Sequence, residues 1–456
     1  MHNFKKIHLL SVLATAMLST SAFADQYIVV AHHQKLNDVR LANIENMGGM
    51  VIDSMRDIGV AIVESSAPDF AQKAQKLPNI RFVVKDIALS KDDLFSAGQN
   101  ALSSPSSALS TEAPQAADMP DDMFFGFQWN LQAIKAPQAW AAGYRGQGTR
   151  IAILDTGVDA DNFELVENIN TDLAKSFVDG ENWDVSEDIT YHHGTIIATS
   201  MVAKDNGMGI VGVAPDAEIV PIKVVSEDGT RGSASALLRG MYYAAQIDAD
   251  IINMSLGIHI NKNTPGAYAV TTAFKRAAKY AWKQGSLIIA AAGNDGIDVS
   301  NDDENIHLPS QLPRVITIGA TGPVNYGKDQ TVDLDQVPSF TNHGEDYIDF
   351  AAPGGNDTVY NQGTFEICTV NYVSLPCFMF DEMVAIDNNG EVLTIHGTSI
   401  ATAQASGIAA LIIGKTGKNK PRKVLAKMIK GADEPAQDSL TPFFGYGRLN
   451  AYESIK

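Results

Sequence analysis

Three short segments carry an Asp, a His and a Ser in the settings that acyl transfer needs. Asp155 ends the apolar run Ile151-Ala152-Ile153-Leu154 and precedes Thr156-Gly157. An acid at the carboxyl end of a buried strand is costly unless paired, and that end is where α/β proteins place their sites. Taken alone it reads as a turn or cap residue. His193, in His192-His193-Gly194-Thr195, stands at the start of a predicted helix. An imidazole can be oriented through one nitrogen by a carboxylate while the other takes a proton. The neighbouring His192 reads as a partly exposed loop residue. Paired histidines also raise a metal site, but no acidic or His ligand follows at helical spacing. Ser399, in His396-Gly397-Thr398-Ser399, opens a long apolar helix. A serine there is commonly a helix cap, yet unpaired N–H groups at a helix start also stabilise a developing oxyanion. Asn294, closing Ala290-Ala291-Ala292-Gly293-Asn294, ends another apolar strand and offers either a side-chain donor or a turn.

These residues need a scaffold. From residue 121 onward, short apolar strands at 151–154, 219–225, 251–254, 287–290, 315–318 and 348–350 alternate with helical patterns. The helices fall at 233–249, 271–284, 399–414 and 421–430, the last with Pro421 in its first turn. Near-continuous apolar strands between helices predict an α/β fold, a mainly parallel sheet covered on both faces. Residues 25–89 predict a smaller α+β unit of βαββαβ order. Residues 90–120 turn to Ser, Ala, Pro, Gln and Asp with little periodicity and read as a linker, either a plain tether or a cleavable junction. The glycine pattern Gly207-Met208-Gly209-Ile210-Val211-Gly212 follows a helix rather than a strand, so it does not read as a dinucleotide loop.

In the order Asp155, His193, Asn294, Ser399 the segments match the subtilisin arrangement, one of several convergent triads. The chain resembles the subtilisin-like serine peptidases. Trp129-Asn130-Leu131, Ala136-Pro137-Gln138-Ala139-Trp140, the loop from Gly209 to Pro215 and Asn253-Met254-Ser255-Leu256-Gly257 extend the likeness. The resemblance implies an inhibitory propeptide over 25–89 and a catalytic domain over 121–456. It implies Ser399 as nucleophile, His193 as general base, Asp155 as its orienting acid and Asn294 as oxyanion donor. Ser255, Leu256 and Gly257 would pair with the peptide, and the P1 pocket would lie between them and His307-Leu308-Pro309. Asp302, Asp303 and Glu304 read as a pocket rim attractive to basic residues or, preferably, as a solvated acidic loop. The chemistry needs no cofactor, while Asn206 and Glu164 match positions that bind structural calcium in many relatives. The chain departs from the family at Ile196, Thr199, Ile400, Ala403 and Gln404, where His, Gly, Met, Pro and His are usual. None of these is a triad or oxyanion residue, and Ile400 in place of an oxidisable Met predicts tolerance of peroxide. The expected activity is that of a secreted serine endopeptidase that forms an acyl-enzyme and processes its own propeptide. The alternative is an exported, catalytically impaired peptide-binding protein of the same fold.

The 456 residues allow two or three domains at roughly 150 residues each. They carry 34 Lys plus Arg against 53 Asp plus Glu, a net charge of −19, which argues against general binding to nucleic acid or anionic membranes. Hydrophobic residues at 45% are ordinary for a globular core. Lys5-Lys6, an apolar run from Ile7 to Leu18 and Ala22-Phe23-Ala24 spell a signal peptide over 1–24, too short for the roughly 20 residues that span a bilayer. Export to the extracellular space or periplasm is expected, as a monomer without a membrane anchor. The expected partners are polypeptide substrates and the chain's own propeptide. Cys368 and Cys377 are the only cysteines. In an oxidising compartment they would bond, stapling an insertion over 355–395 ahead of Ser399; in a reducing one they would be two buried thiols.

Overall fold

The structure, a computed structural model, describes residues 24–90, 98–100, 120–185, 192–363, 365–418, 420–434 and 440–456. The expected signal peptide and most of the expected linker lie outside the described residues.

The N-terminal unit runs β1 (Asp25–Ala31), α1 (Asp38–Glu45), β2 (Met50–Met55), β3 (Val60–Ser65), α2 (Phe70–Ala74) and β4 (Ile80–Lys85). Its sheet is antiparallel, in the order β2-β3-β1-β4. The two-residue period of a strand divides its side chains between two cores. Tyr27, Val29, Ala61 and Val63 pack with Leu41, Ile44 and Phe70 of the unit's own helices. Ile28, Val30, Val60 and Ile62 instead join a core with Val270 and Phe274 of the larger part. Fully burying such side chains contributes about 1.5–3 kcal/mol each, so the sheet is a packed layer rather than a pendant. Two further strands follow, β5 (Ala88–Ser90) and β6 (Gly98–Asn100).

The larger part opens with α3 (Trp129–Ala133) and α4 (Ala136–Ala141). The indole N–H of Trp129 donates to the Glu382 carbonyl at 3.0 Å and that of Trp140 to the Val213 carbonyl at 2.9 Å. There follow β7 (Arg150–Asp155), β8 (Lys175–Ser176), α5 (His193–Val202), β9 (Glu218–Lys223), β10 (Arg231–Ser233), α6 (Ala234–Gln246), β11 (Ile251–Met254) and β12 (Ile258–Asn261). Next come α7 (Ala267–Gln284), β13 (Leu287–Ala291), β14 (Asn305–Leu308), β15 (Val315–Thr321), β16 (Phe350–Pro353) and α8 (Thr358–Asn361). Two hairpins, β17 (Ile367–Val370) with β18 (Val373–Pro376) and β19 (Met383–Ile386) with β20 (Val392–His396), precede α9 (Thr398–Thr416). The chain closes on α10 (Pro421–Gly431), α11 (Thr441–Phe444) and α12 (Ala451–Ile455). Seven strands form one sheet in the order β16-β15-β13-β11-β7-β9-β8, every pair parallel. The expected α/β architecture is present. α9 is buried on nearly every side, which is why its sequence is apolar all round rather than striped.

Several boundaries differ from the sequence reading. α7 begins at Ala267, a turn earlier than expected, behind Gly266 at φ 95°. The last sheet strand starts at Phe350; Asp349, just before it, is held to β15 by its own N–H on the Thr317 carbonyl at 3.0 Å and by its carboxylate on the Thr317 N–H at 2.8 Å. The stretch from residue 90 is not all linker. β5 pairs antiparallel with β10, and β6 adds a third strand to β19-β20. Three-residue strands carry no periodicity of their own, and only a distant edge makes them strands. Cys368 and Cys377 form a disulfide, and both lie at the β17–β18 hairpin.

Candidate active site

Three neighbouring strands of the sheet aim their carboxyl ends at one place. β7 ends on Asp155, β11 runs on to Ser255, and β13 runs on through Gly293 to Asn294. The carboxyl edge of a parallel sheet is where α/β proteins assemble sites. Two helix starts face it, α5 with His193 and α9 with Ser399.

Asp155 is 1% exposed and receives the Thr156 N–H on Oδ1 at 2.7 Å. His193 Nδ1 lies 2.8 Å from Asp155 Oδ1 and 3.0 Å from Oδ2. A carboxylate accepts only, so Nδ1 carries the proton and Nε2 is left as the basic nitrogen. Nε2 is buried and makes no hydrogen bond with the described residues. The helix start can approach this closely because residue 194 is glycine. A Cβ there would sit 2.0 Å from the Gly157 carbonyl oxygen, and the Gly194 N–H instead donates to Thr156 Oγ1 at 3.1 Å.

Ser399 is fully buried in the first turn of α9. Gly397, just before it, adopts φ 152°, ψ 157°, a region open essentially to glycine alone. The Ser399 hydroxyl donates to the Ser255 carbonyl at 2.8 Å, and the Ser255 hydroxyl donates to the Ser399 carbonyl at 2.8 Å. Asn294 Oδ1 accepts from the Thr398 N–H at 2.8 Å and the Thr398 hydroxyl at 2.9 Å. That fixes the carboxamide beside the backbone at the start of α9 and turns its Nδ2 end away from Thr398.

The structure therefore brings Asp155, His193, Ser399, Asn294 and Ser255 to one edge of the sheet. Leu256 is buried in the same hydrophobic cluster as Leu89 of β5. The two segments expected to flank a P1 pocket are also neighbours, since β12, just after Gly257, pairs with β14 at Ile258 and Leu308. Asp302 is bound into its own loop by His307 Nε2 at 2.8 Å and by Asn305.

His192 is a correction. It is fully buried, with Nε2 3.7 Å from Glu227 Oε1, next to a fully buried Lys223 whose Nζ lies 2.9 Å from Glu181 Oε2. A charged cluster beneath the helix start makes room for a polar residue that local sequence places in a loop. The family departures are accommodated by partners. Gln404 accepts from Asn130 Nδ2 and donates to the Ser200 carbonyl, and the Thr199 hydroxyl donates to the Ile386 carbonyl. Sequence reasoning missed Glu382, whose buried carboxylate meets His396 Nδ1 at 3.0 Å three residues before Ser399. It sits just before β19, where nothing local marks it.

Asn206 and Glu164 also meet, Asn206 Nδ2 donating to Glu164 Oε2 at 3.3 Å. Asp122, which the sequence reading missed, lies beside them with a buried Oδ2 that has no partner among the described residues. Burial pushes the Asp122 carboxyl up to about 7 and the fully buried Glu164 up to about 8. The carboxylates of Asp121, Asp122 and Asp205 lie within 4.8 Å of one another. Asp121 and Asp205 are exposed and Asp205 pairs with Arg145 at 2.9 Å, but the buried Asp122 and Glu164 have no cationic partner among the described residues and, with Asn206, form a donor set that suits a hard cation.

Residues 146–447 match the model of the subtilase family. Thermitase of Thermoactinomyces vulgaris is 32% identical over 347 residues, covering 74% of this chain and 99% of that one. A thermophilic serine proteinase of Bacillus sp. strain AK1 is 28% identical over 345 residues, 75% of this chain and 70% of its own. Among solved structures, the epidermin leader peptide processing serine protease of Staphylococcus aureus superimposes with a TM-score of 0.74 at 22% identity, covering 95% of this chain and 98% of that one.

Proposed function

The chain belongs to the subtilase family and is a subtilisin-like serine endopeptidase, and from that premise we propose that it acts as a secreted, self-processing enzyme through Asp155, His193 and Ser399. The observation that carries the triad is the His193 ring, clasped at Nδ1 by both Asp155 oxygens, with Nε2 left to act as base. The Ser399 hydroxyl turns from the Ser255 carbonyl to Nε2, gives up its proton and attacks the peptide carbonyl carbon. The oxyanion is held by the Ser399 N–H and the Asn294 amide. The C–N bond then breaks as Nε2 returns the proton to the departing amine, and water releases the acyl group by the same steps in reverse. No cofactor enters the chemistry.

Residues 25–89 act in this reading as an intramolecular inhibitor. Support comes from β5, which lies on β10 as the acyl side of a bound peptide would, with Leu89 4% exposed. Arg276 of α7 donates to the Ala31 and Ile58 carbonyls, and Arg239 of α6 to Asp53, so the unit sits on the enzyme by charge as well as by apolar contact. Asp122, Glu164 and Asn206 would hold a structural calcium ion, which supplies positive charge that ties the segment entering α3 to the loops after β7 and α5. Export rests on the N-terminal signal pattern; among the described residues no helix is long and apolar enough to cross a membrane. We take the enzyme to be a monomer. The reading as a peptide-binding protein without turnover is not favoured, since the clasped imidazole and the helix-start serine are both present.

The test is purification of wild type and Ser399→Ala, with N-terminal sequencing of both and fluorophosphonate labelling of the wild type. Labelling and self-processing in the wild type alone are expected. Casein cleavage or self-processing by Ser399→Ala would overturn the assignment.

A further inference from the structure

The precursor chain makes two separate ladders with the larger part. β5 pairs antiparallel with β10, and Gly98, Gln99 and Asn100 of β6 pair antiparallel with His396, Ile395 and Thr394 of β20. β10 is tied to the triad through Val225, which bridges Gly232 and donates its N–H to the Asp155 carbonyl. β20 ends at His396, three residues before Ser399. The same chain is therefore held on both sides of the nucleophile, by β10 on the Asp155 side and by β20 on the Ser399 side.

β20 belongs to the insertion, and its hairpin has two unlike faces. Met383, Ala385 and Ile395 enter the central core. Val384, Ile386 and Val392 face the other way into a cleft of about 620 Å³, whose far wall includes Phe124, Phe127 and Met208. Met208 there is 47% exposed and Met123, on the same rim, 50%. An uncovered apolar hollow beside a strand edge is an interaction site in search of an apolar partner. In an antiparallel ladder, directly opposed residues place their side chains on the same face. A peptide residue opposite Thr394, which lines the cleft, thus stands over it.

We propose that β20 and this cleft form a subsite for the leaving side of the substrate. An extended polypeptide adds to the β20 edge by backbone hydrogen bonds, as the chain's own β6 does, and an apolar side chain several residues beyond the scissile bond fills the hollow. The occupant is the substrate polypeptide, by continuity with the β6–β20 pairing. This rests on the endopeptidase reading above and adds to it a preference for long substrates with a downstream apolar residue.

The test uses purified mature enzyme and quenched peptides of one acyl-side sequence. One series stops two residues past the scissile bond; the other extends eight, with a single Leu or Ser scanned along it. An acyl-peptide anilide, which has no leaving-side peptide, reads the basic chemistry. Leu should exceed Ser at one extended position by about 10- to 100-fold in kcat/KM, the scale of an apolar pocket contact, with no such gain in the short series. Val392→Asp should bring that ratio to about one, and Val392→Phe, which fills the cleft, should do the same if the acidic variant unfolds early by thermal melting. Equal rates for Leu and Ser at every position, or a Leu preference that survives both variants, would overturn the subsite while anilide turnover leaves the peptidase reading standing. No anilide turnover by wild type would remove both.

Discussion

Ser399 and Ser255 hold each other by two reciprocal hydrogen bonds, each hydroxyl donating to the other residue's carbonyl at 2.8 Å. Ser399 therefore rests on the segment expected to bind substrate. Ser255→Ala removes one of the two bonds and leaves the other intact. We expect a loss of about 1 kcal/mol in stability and a moderate fall in kcat, read by thermal unfolding and peptide hydrolysis. An unchanged melting midpoint together with unchanged kcat would show the pair to be incidental.

Asn294 is held at Oδ1 by Thr398, and the proposed mechanism uses its amide end as oxyanion donor. Asn294→Ala should lower kcat by about 10²–10³ with little change in KM, the usual scale for one such donor. Steady-state kinetics on one peptide decide it. A KM effect alone would assign Asn294 to substrate binding.

Gly194 is where α5 presses on the Asp155 loop. Gly194→Ala must push His193 away from Asp155, so activity should fall by at least about 10²-fold for a misplacement near 1 Å, while Gly143→Ala is a glycine replacement whose added atom meets nothing within 4 Å. Equal activity in the two variants would mean that the close approach is not needed.

Asp349 is partly buried, and burial pushes its carboxyl up to about 6. The folded state thus keeps a proton that the unfolded state, near the ordinary carboxyl value of 3.8, has lost. Stability contributed by this residue falls as pH rises from about 4 to 6 and stays low above. Asp349→Asn can still accept the Thr317 N–H, and should raise stability above pH 6 by on the order of 1–2 kcal/mol, with the gain fading toward pH 4. Urea unfolding at several pH values measures it, and a gain independent of pH would point to another cause.

Chelation should speed thermal inactivation of the wild type, because an ion bound to the folded state alone stabilises by mass action. Glu164→Gln, which loses one charge of the donor set, should respond less. Identical inactivation curves with and without chelator would dismiss the calcium assignment.

Much of the site was legible in the sequence because its parts are local. Apolar runs ending in Asp155 and near Asn294 mark strand ends, and glycine before Thr398 and after His193 marks helix starts. The βαββαβ order of residues 25–89 was likewise written in strand alternation. Other features had no local trace. Lys223 at the end of β9 and Glu227 in the turn after it surround His192 from a distant part of the chain, and Glu382 reaches His396 from across a hairpin.

The sequence by itself determined which residue types stand at which strand and helix ends, because periodicity, capping and glycine conformation act over a few residues. Only the tertiary structure decided that β13, β11 and β7 lie side by side, and so that Asn294, Ser255 and Asp155 share one edge. Only it decided that residues 88–90 and 98–100 are strands, since a three-residue segment becomes one when a distant edge offers it unpaired backbone groups. Strand neighbours are chosen by burial of both sheet faces and by completion of the ladder, terms that are summed over the whole fold and are written in no single segment.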